Sequence, residues 1–354
     1  MTEATPEQFK TSYSNPKSLP QSLNDPKDFD FHQIMASAQD INHMTSLGLE
    51  STQDRLFYYH RGLQGLKPNT PILVLLHGYP QSSFMWRHLI PCLPPTIRLF
   101  IPDLPGYARS PPLLAPHSKL NQGSSILSQL SSILPSNTKQ PLILIGHDRG
   151  ARICHRLAID TSPSSNFPIL GVILLDIVPT LIQWRTFSTA KASIGSFHWP
   201  FLANVEIATT MIAAQRGDVW TKMCLDRWVG KSEAGLLKFQ EHNAVDVYAN
   251  FFKSESVVRA TCDDYRAGAE EDIELQEHDQ KLGRKIGVDI LVVYSKDYLG
   301  KRYDVRSVWE DWMADDMKER LNVLAIGGGV GHFIAEEAPE EVAKALLEFY
   351  NKHV

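Results

Sequence analysis

Asp148 is the residue around which a chemistry can be built. It lies in Ile145-Gly146-His147-Asp148-Arg149-Gly150-Ala151-Arg152, between the apolar run Pro141-Leu142-Ile143-Leu144-Ile145 and a helix-like run from Ala151 to Ile159. Gly-x-nucleophile-x-Gly between a short apolar run and a helix is the layout of a nucleophile elbow, a strained turn that presents one side chain at the top of a sheet. A carboxylate at its centre is ionised at neutral pH and attacks a tetrahedral carbon bearing a leaving group without first losing a proton. The turn therefore points to alkyl transfer onto Asp148, against the plainer alternative of a capped helix after a buried strand. Two more residues complete such a chemistry. Asp176 is carried by the β-rich run Ile169 to Ile177, and His332 ends the loop Gly327-Gly328-Gly329-Val330-Gly331. Each of the three lies just past a predicted parallel strand, so they should share one edge of the sheet as nucleophile, acid and base.

The elements that must position them read as follows. Residues 1–30 are rich in turn formers and charges and read as a flexible extension. Ile41 to Leu49 and Leu56 to Arg61 suit a pair of edge strands separated by the polar stretch Glu50 to Arg55. Pro71 to Leu76 is a continuous apolar run suited to a strand buried on both faces, and it ends in His77-Gly78-Tyr79-Pro80. The backbone near Tyr79 is a candidate N–H donor to an oxyanion. His77 and Asp103 read as structural, the latter in the turn after the strand Arg98 to Pro102. A helix is most plausible from Ser124 to Leu134. Alternating strand and helix up to Ile177 predicts a doubly wound, mostly parallel α/β sheet. Between Thr180 and Leu282 the strand pattern gives way to helix formers and aromatics, Leu236 to Phe252 having apolar residues at helical spacing. The sheet resumes at Ile286 to Tyr294 and Asn322 to Ile326, before a closing helix from Pro339 to Tyr350. The expected organisation is a core of residues 31–179 and 285–354 with a helical cap of residues 180–284.

Composition narrows the partners. With 354 residues, 43% of them hydrophobic and 21% charged, the chain can bury a sizeable core. A net charge of -5 offers no basic field for nucleic acid. No apolar stretch approaches the ~20 residues of a membrane span, and the start of the chain lacks the apolar centre of a secretory signal. A cytoplasmic location is expected. Cys92, Cys154, Cys224 and Cys262 have no metal-type or redox-type spacing and read as buried thiols.

These blocks together resemble the α/β-hydrolase superfamily and, within it, the haloacetate (fluoroacetate) dehalogenases. The resemblance runs from about Ile41 onward. It is carried by His77-Gly78-Tyr79-Pro80-Gln81, Gly146 to Arg152, Leu175 to Thr180, Phe197-His198-Trp199, Asp264 to Ala269, and Gly331-His332-Phe333 leading to Glu336-Glu337-Ala338-Pro339. It implies the α/β-hydrolase fold with Asp148 as nucleophile, His332 as the base that activates water and Asp176 as the acid that orients it. Arg149 and Arg152 would hold a substrate carboxylate, for which the arginine fork is suited. His198, Trp199 and Tyr265 would donate hydrogen bonds to a departing halide. No metal or organic cofactor is implied. The expected partners are a small anionic substrate and, for assembly, a possible homodimer. The loop after Ile286 to Tyr294 carries a second acid, Asp297, where many related hydrolases keep the triad acid; Asp176 is preferred because its whole block matches.

The leading expectation is hydrolysis of a 2-halo carboxylate to the 2-hydroxy carboxylate. The runner-up is an epoxide hydrolase with the same nucleophile and base, in which Tyr265 and Tyr248 would protonate the alkoxide. A reading of another class is a ligand-binding protein that keeps the fold without turnover.

Overall fold

The computed structural model describes residues 38–66, 69–135, 139–162 and 165–354. The N-terminal extension expected for residues 1–30 lies outside the described residues. Eight strands, β1 (Glu50–Gln53), β2 (Phe57–Arg61), β3 (Ile72–Leu76), β4 (Arg98–Pro102), β5 (Leu142–His147), β6 (Ile169–Leu175), β7 (Asp289–Ser295) and β8 (Leu321–Ile326), form one sheet in the order β1-β2-β4-β3-β5-β6-β7-β8. β1 and β2 are antiparallel additions at one edge, and every pairing from β4 to β8 is parallel. Every residue of β3 and β5 is buried, which is why these strands read as unbroken apolar runs without alternation. Truncating such a residue, Ile145 for example, to alanine would cost about 2–5 kcal/mol.

The chain passes from β3 outward to β4 and then returns across β3 to β5. The direction of winding reverses there, and the carboxyl ends of β3 and β5 are where a doubly wound sheet opens a crevice for a ligand. His77-Gly78-Tyr79 leaves one of those ends and Asp148 the other.

Three local expectations change. Residues 41–49 are not an edge strand: Gln39–Ser46 is a helix, and the strand is Glu50–Gln53, within the stretch read as a connector. Ile41, Met44 and Leu47 recur every third residue, a helical spacing, and Met44 is fully buried while Asp40 pairs with the buried Arg109. The helix read from Ser124 begins at Lys119, where Ser118 caps it by accepting from the Asn121 N–H. The stretch Leu236 to Phe252 is two helices, Glu233–Gln240 and Ala244–Phe251, broken where His242 and Asn243 both take positive φ.

Between β6 and β7 the described chain is helical, with nine α-helices running from Thr180–Arg185 to Glu271–Leu282. Polar ties between side chains fasten this insert to the sheet's loops. Asp264 bonds Arg149, Trp220 donates to the Tyr79 hydroxyl, and Tyr248 donates to Glu336. No helix among the described residues is long and apolar enough to cross a membrane. The four cysteines are unpaired; Cys92 is half-buried rather than buried as expected, and the other three are buried.

Candidate active site

Asp148 occupies the turn between β5 and the helix Arg149–Asp160 with φ 44° and ψ -112°, a conformation that L residues rarely adopt. Two glycines make the turn possible. A Cβ on Gly146 would strike the backbone of Ala151, and one on Gly150 the carbonyl of Leu76. The Asp148 N–H donates to the Leu175 carbonyl (3.3 Å), and its Oδ2 accepts from the Tyr79 N–H (3.1 Å). The Tyr79 backbone N–H thus stands beside the Asp148 carboxylate, while its hydroxyl is engaged by the Trp220 indole at 2.6 Å.

Asp176 leaves β6 at φ 55°, its N–H held by the Val293 carbonyl at 2.8 Å. Its Oδ1 accepts from the Ser295 N–H (2.9 Å), and Oδ2 lies 2.6 Å from His332 Nδ1. A carboxylate can only accept, so Nδ1 donates and Nε2 keeps its lone pair. The histidine is fixed from both sides, its N–H donating to the Trp228 carbonyl and its own carbonyl bonding His147 Nε2, each at 2.9 Å. The other candidate acid, Asp297, is 39% exposed at its side chain, accepts from the Gly329 N–H and faces Lys301. It makes no bond to His332 among those described.

Asp148, Asp176 and His332 line one cavity of about 30 Å³, together with Arg152, His198, Trp199 and Tyr265. A single water needs about 10–15 Å³ of such space, so the cavity suits a ligand of a few heavy atoms. Burial would push the Asp148 carboxyl up, but the electrostatic influence of the neighbouring His332, Arg149 and Arg152 outweighs it and holds the group below its usual range. His198 is pushed down to about 3, chiefly by burial, so it is a neutral imidazole with a single N–H to give; its Nδ1 has no partner.

The two arginines occupy different environments. Arg152 is at the cavity wall, with its guanidinium 4.5 Å from the Trp199 ring, Nη1 on the Val178 carbonyl (3.0 Å) and Thr180 Oγ1 (3.1 Å), and Nε buried without a partner. Burial and the charge of Arg149 lower it to about 10, which leaves it cationic at neutral pH. Arg149 is not among the cavity-lining side chains. Its Nε and Nη2 are bound by Asp264 (2.8 and 3.0 Å), and its guanidinium lies 4.3 Å from the Tyr265 ring. Asp264 also takes Tyr107 (2.7 Å), Gln122 (2.8 Å) and Lys119. Only Nη1 of Arg149 is left without a partner. Tyr248, named in the epoxide reading, is likewise absent from the cavity wall, donating instead to Glu336 at 2.7 Å and accepting from Arg87 at 3.1 Å.

Sequence reasoning missed Trp228, Tyr298 and Arg302, which also line the cavity. Trp228 brings an indole N–H with no partner, and Arg302 stands over the Tyr298 ring at 4.3 Å. Tyr298 and Arg302 follow the carboxyl end of β7, a position that could have flagged them. Nothing in the local sequence marks Trp228, the last residue of the helix Gly217–Trp228. His77 and Asp103 are structural as read: His77 Nε2 accepts from the Leu104 N–H, and Asp103 accepts from Ser83 and the Arg109 N–H.

Residues 73–345 match the profile of the alpha/beta hydrolase family. The chain is 28% identical over 281 residues to the fluoroacetate dehalogenase of Burkholderia sp, covering 79% of this chain and 86% of that enzyme. It is 25% identical over 284 residues to the soluble epoxide hydrolase of Corynebacterium sp., covering 78% of this chain and 89% of that one. Among solved structures, a Nostoc sp PCC 7120 protein assigned to the alpha/beta hydrolases superposes with a TM-score of 0.71. The two are 32% identical, and the match covers 85% of this chain and 98% of that one.

Proposed function

This chain belongs to the alpha/beta hydrolase family, and from that premise we propose that it hydrolyses small 2-halo carboxylates to 2-hydroxy carboxylates through an ester on Asp148. The observation that carries this reading is the pairing, in one cavity of about 30 Å³, of a buried ionised nucleophile with the cationic Arg152 and the donors His198, Trp199 and Tyr265. A small anion that leaves an anion behind matches that lining; a bulky neutral epoxide matches neither its size nor its charge.

In the proposed reaction Asp148 Oδ1 attacks the carbon bearing the halogen as Arg152 holds the substrate carboxylate, the free Nη1 of Arg149 being the second candidate donor. The carbon–halogen bond breaks, and the halide leaves with the electron pair toward the His198, Trp199 and Tyr265 donors. His332 Nε2 then takes a proton from water, whose oxygen adds to the carbonyl carbon of the ester. The Tyr79 N–H stabilises the developing oxyanion. The ester bond to the substrate oxygen breaks, the proton passes to the 2-hydroxy acid, and Asp148 is restored carrying one oxygen from water. Asp176 orients His332 throughout. The inserted helices, residues 180–282, act as the cap that closes the cavity. The chemistry uses side chains and the Tyr79 backbone N–H, in a monomer or a homodimer, at a cytoplasmic location.

An epoxide hydrolase with the same Asp148 and His332 is the second reading, since two tyrosines, Tyr265 and Tyr298, line the cavity and could protonate an alkoxide. Halide release from fluoroacetate and chloroacetate, read with an ion-selective electrode beside diol release from styrene oxide, separates the two. Diol formation without halide release would overturn the dehalogenase reading.

A further inference from the structure

We propose that His88, Glu241 and His242 form a binding site for one zinc-type divalent ion, outside the catalytic cavity, that fastens the helical insert to the sheet's loops. One ring nitrogen from each histidine and one carboxylate oxygen of Glu241 lie within 4.8 Å of one another, and His88 Nε2 is 3.7 Å from the Glu241 carboxylate. None of the three lines the catalytic cavity. Zinc bonds of about 2.0–2.2 Å place two ligands of one tetrahedral ion roughly 3.4 Å apart. The cluster has to close by about an ångström, which the exposed side chains of Glu241 and His242 can do by rotating.

Three features set this group apart from a chance surface cluster. The backbone is bent to present it: His242 (φ 60°, ψ 25°) and Asn243 (φ 55°, ψ 34°) are consecutive left-handed residues in the turn between the helices Glu233–Gln240 and Ala244–Phe251. A third imidazole stands beside the cluster. His43, from the helix Gln39–Ser46, packs against it with its ring centroid 3.9 Å from that of His242. The neighbouring cations are already paired, Arg87 with Glu336 and Lys238 with Glu340, so they add little net repulsion. His88 Nε2 now bonds the Lys238 carbonyl at 2.9 Å, but that oxygen also accepts from Arg87 Nη2 at 3.1 Å and stays satisfied if His88 turns to an ion.

Two imidazoles and one carboxylate are a donor set for zinc, with a fourth position left to water, whereas magnesium and calcium require oxygen. The ligands come from two parts of the chain, His88 beyond β3 and Glu241-His242 in the insert. An ion bound there ties these segments together and stabilises the folded state by mass action.

The test uses the untagged full-length protein. Zinc titrated in a calorimeter should bind saturably with a stoichiometry of one and raise the melting temperature by a few degrees, whereas magnesium should do neither. Cobalt should give the visible absorption of a tetrahedral site. Glu241→Gln and His242→Ala change exposed side chains, so both variants should fold, as circular dichroism will report. Each should weaken zinc binding at least about tenfold, the low end even for residues that only support a ligand. Absence of saturable zinc binding, or unchanged affinity in both folded variants, overturns the proposal.

Discussion

Replacing Arg152 by methionine separates its proposed carboxylate-binding role from the fold. The side chain is fully buried at the cavity wall, forms no ion pair among those described, and contributes two hydrogen bonds to Val178 and Thr180. Methionine fills similar volume without the charge. A hydrogen bond to a charged group contributes about 1.5–3 kcal/mol. Losing one such bond to the substrate lowers kcat/KM about 10- to 150-fold, and losing a bidentate pair lowers it further. Misplacement of the reacting carbon brings a loss on the order of a hundredfold in rate by itself. We therefore expect Arg152→Met to lose at least about a hundredfold in haloacetate kcat/KM, with a melting temperature only a few degrees below wild type. Lysine should rescue poorly, because a point charge does not reproduce the fork. The charge of Arg152 also helps hold Asp148 below the usual carboxylate range. Its removal raises the Asp148 pKa, so the acid limb of the kcat/KM profile should move to higher pH. Steady-state halide release across pH, with circular dichroism as the folding control, measures both effects. Haloacetate kinetics within threefold of wild type, with an unmoved acid limb, would refute the carboxylate site and the reasoning about Asp148.

His332→Ala should accumulate a stable adduct, visible as added carboxymethyl mass on Asp148 in intact and peptide mass spectra, because displacement needs only the carboxylate whereas ester hydrolysis needs the base. Asp176→Ala should reduce turnover on the order of 10³- to 10⁴-fold, while Asp297→Ala stays within severalfold of wild type; equal losses in both would contradict the bond from His332 to Asp176. Asp264→Asn should destabilise the protein by about 3–5 kcal/mol, since buried Arg149 and Lys119 would lose their carboxylate. Burial alone would raise the Asp264 carboxyl, but Arg149 and Lys119 hold it far below the usual range. Its stabilisation is therefore complete above about pH 4 and drains away as the pH falls toward the folded pKa. Thermal melts should find the variant far below wild type at pH 7 and closer to it in acid.

The grouping of Asp148, Asp176 and His332 in one cavity was legible because each is placed by a local rule. A strand followed by Gly-x-Asp-x-Gly suits Asp148 to a tight strand-to-helix turn, and an acid after β6 and a histidine after β8 reach the same sheet edge through the parallel topology. The choice between Asp176 and Asp297 could not be made from spacing, since each follows a parallel strand; it depends on which carboxylate reaches the His332 ring. The arginines show a different limit. Arg149 and Arg152 look alike beside Asp148, yet Asp264, 115 residues further on, takes up Arg149 and leaves Arg152 at the cavity wall. The misread N-terminal edge has a local cause. Spacing of every third residue over only eight positions resembles loose alternation, and the strand β1 carries no large apolar side chain because it lies at the sheet's edge.

Both acidic residues of the site are held at positive φ, and this strain can be measured apart from catalysis. Asp148 sits where a side chain typically costs about 1–3 kcal/mol. It is kept there by the sheet bond to Leu175 and by the Tyr79 N–H. Alanine at the position loses the bond to Tyr79 and keeps the strain; glycine loses the same bond but populates positive φ freely. Glycine also carries more unfolded-state entropy, a disadvantage of about 0.4–1 kcal/mol. The strain term exceeds that over most of its range, so Asp148→Gly should melt above Asp148→Ala, reversing the usual order of the two residues. Neither variant has a nucleophile, so turnover cannot confuse the comparison. A lower melting temperature for the glycine variant would mean that the turn is relaxed as drawn, and that the elbow aims the carboxylate without storing strain.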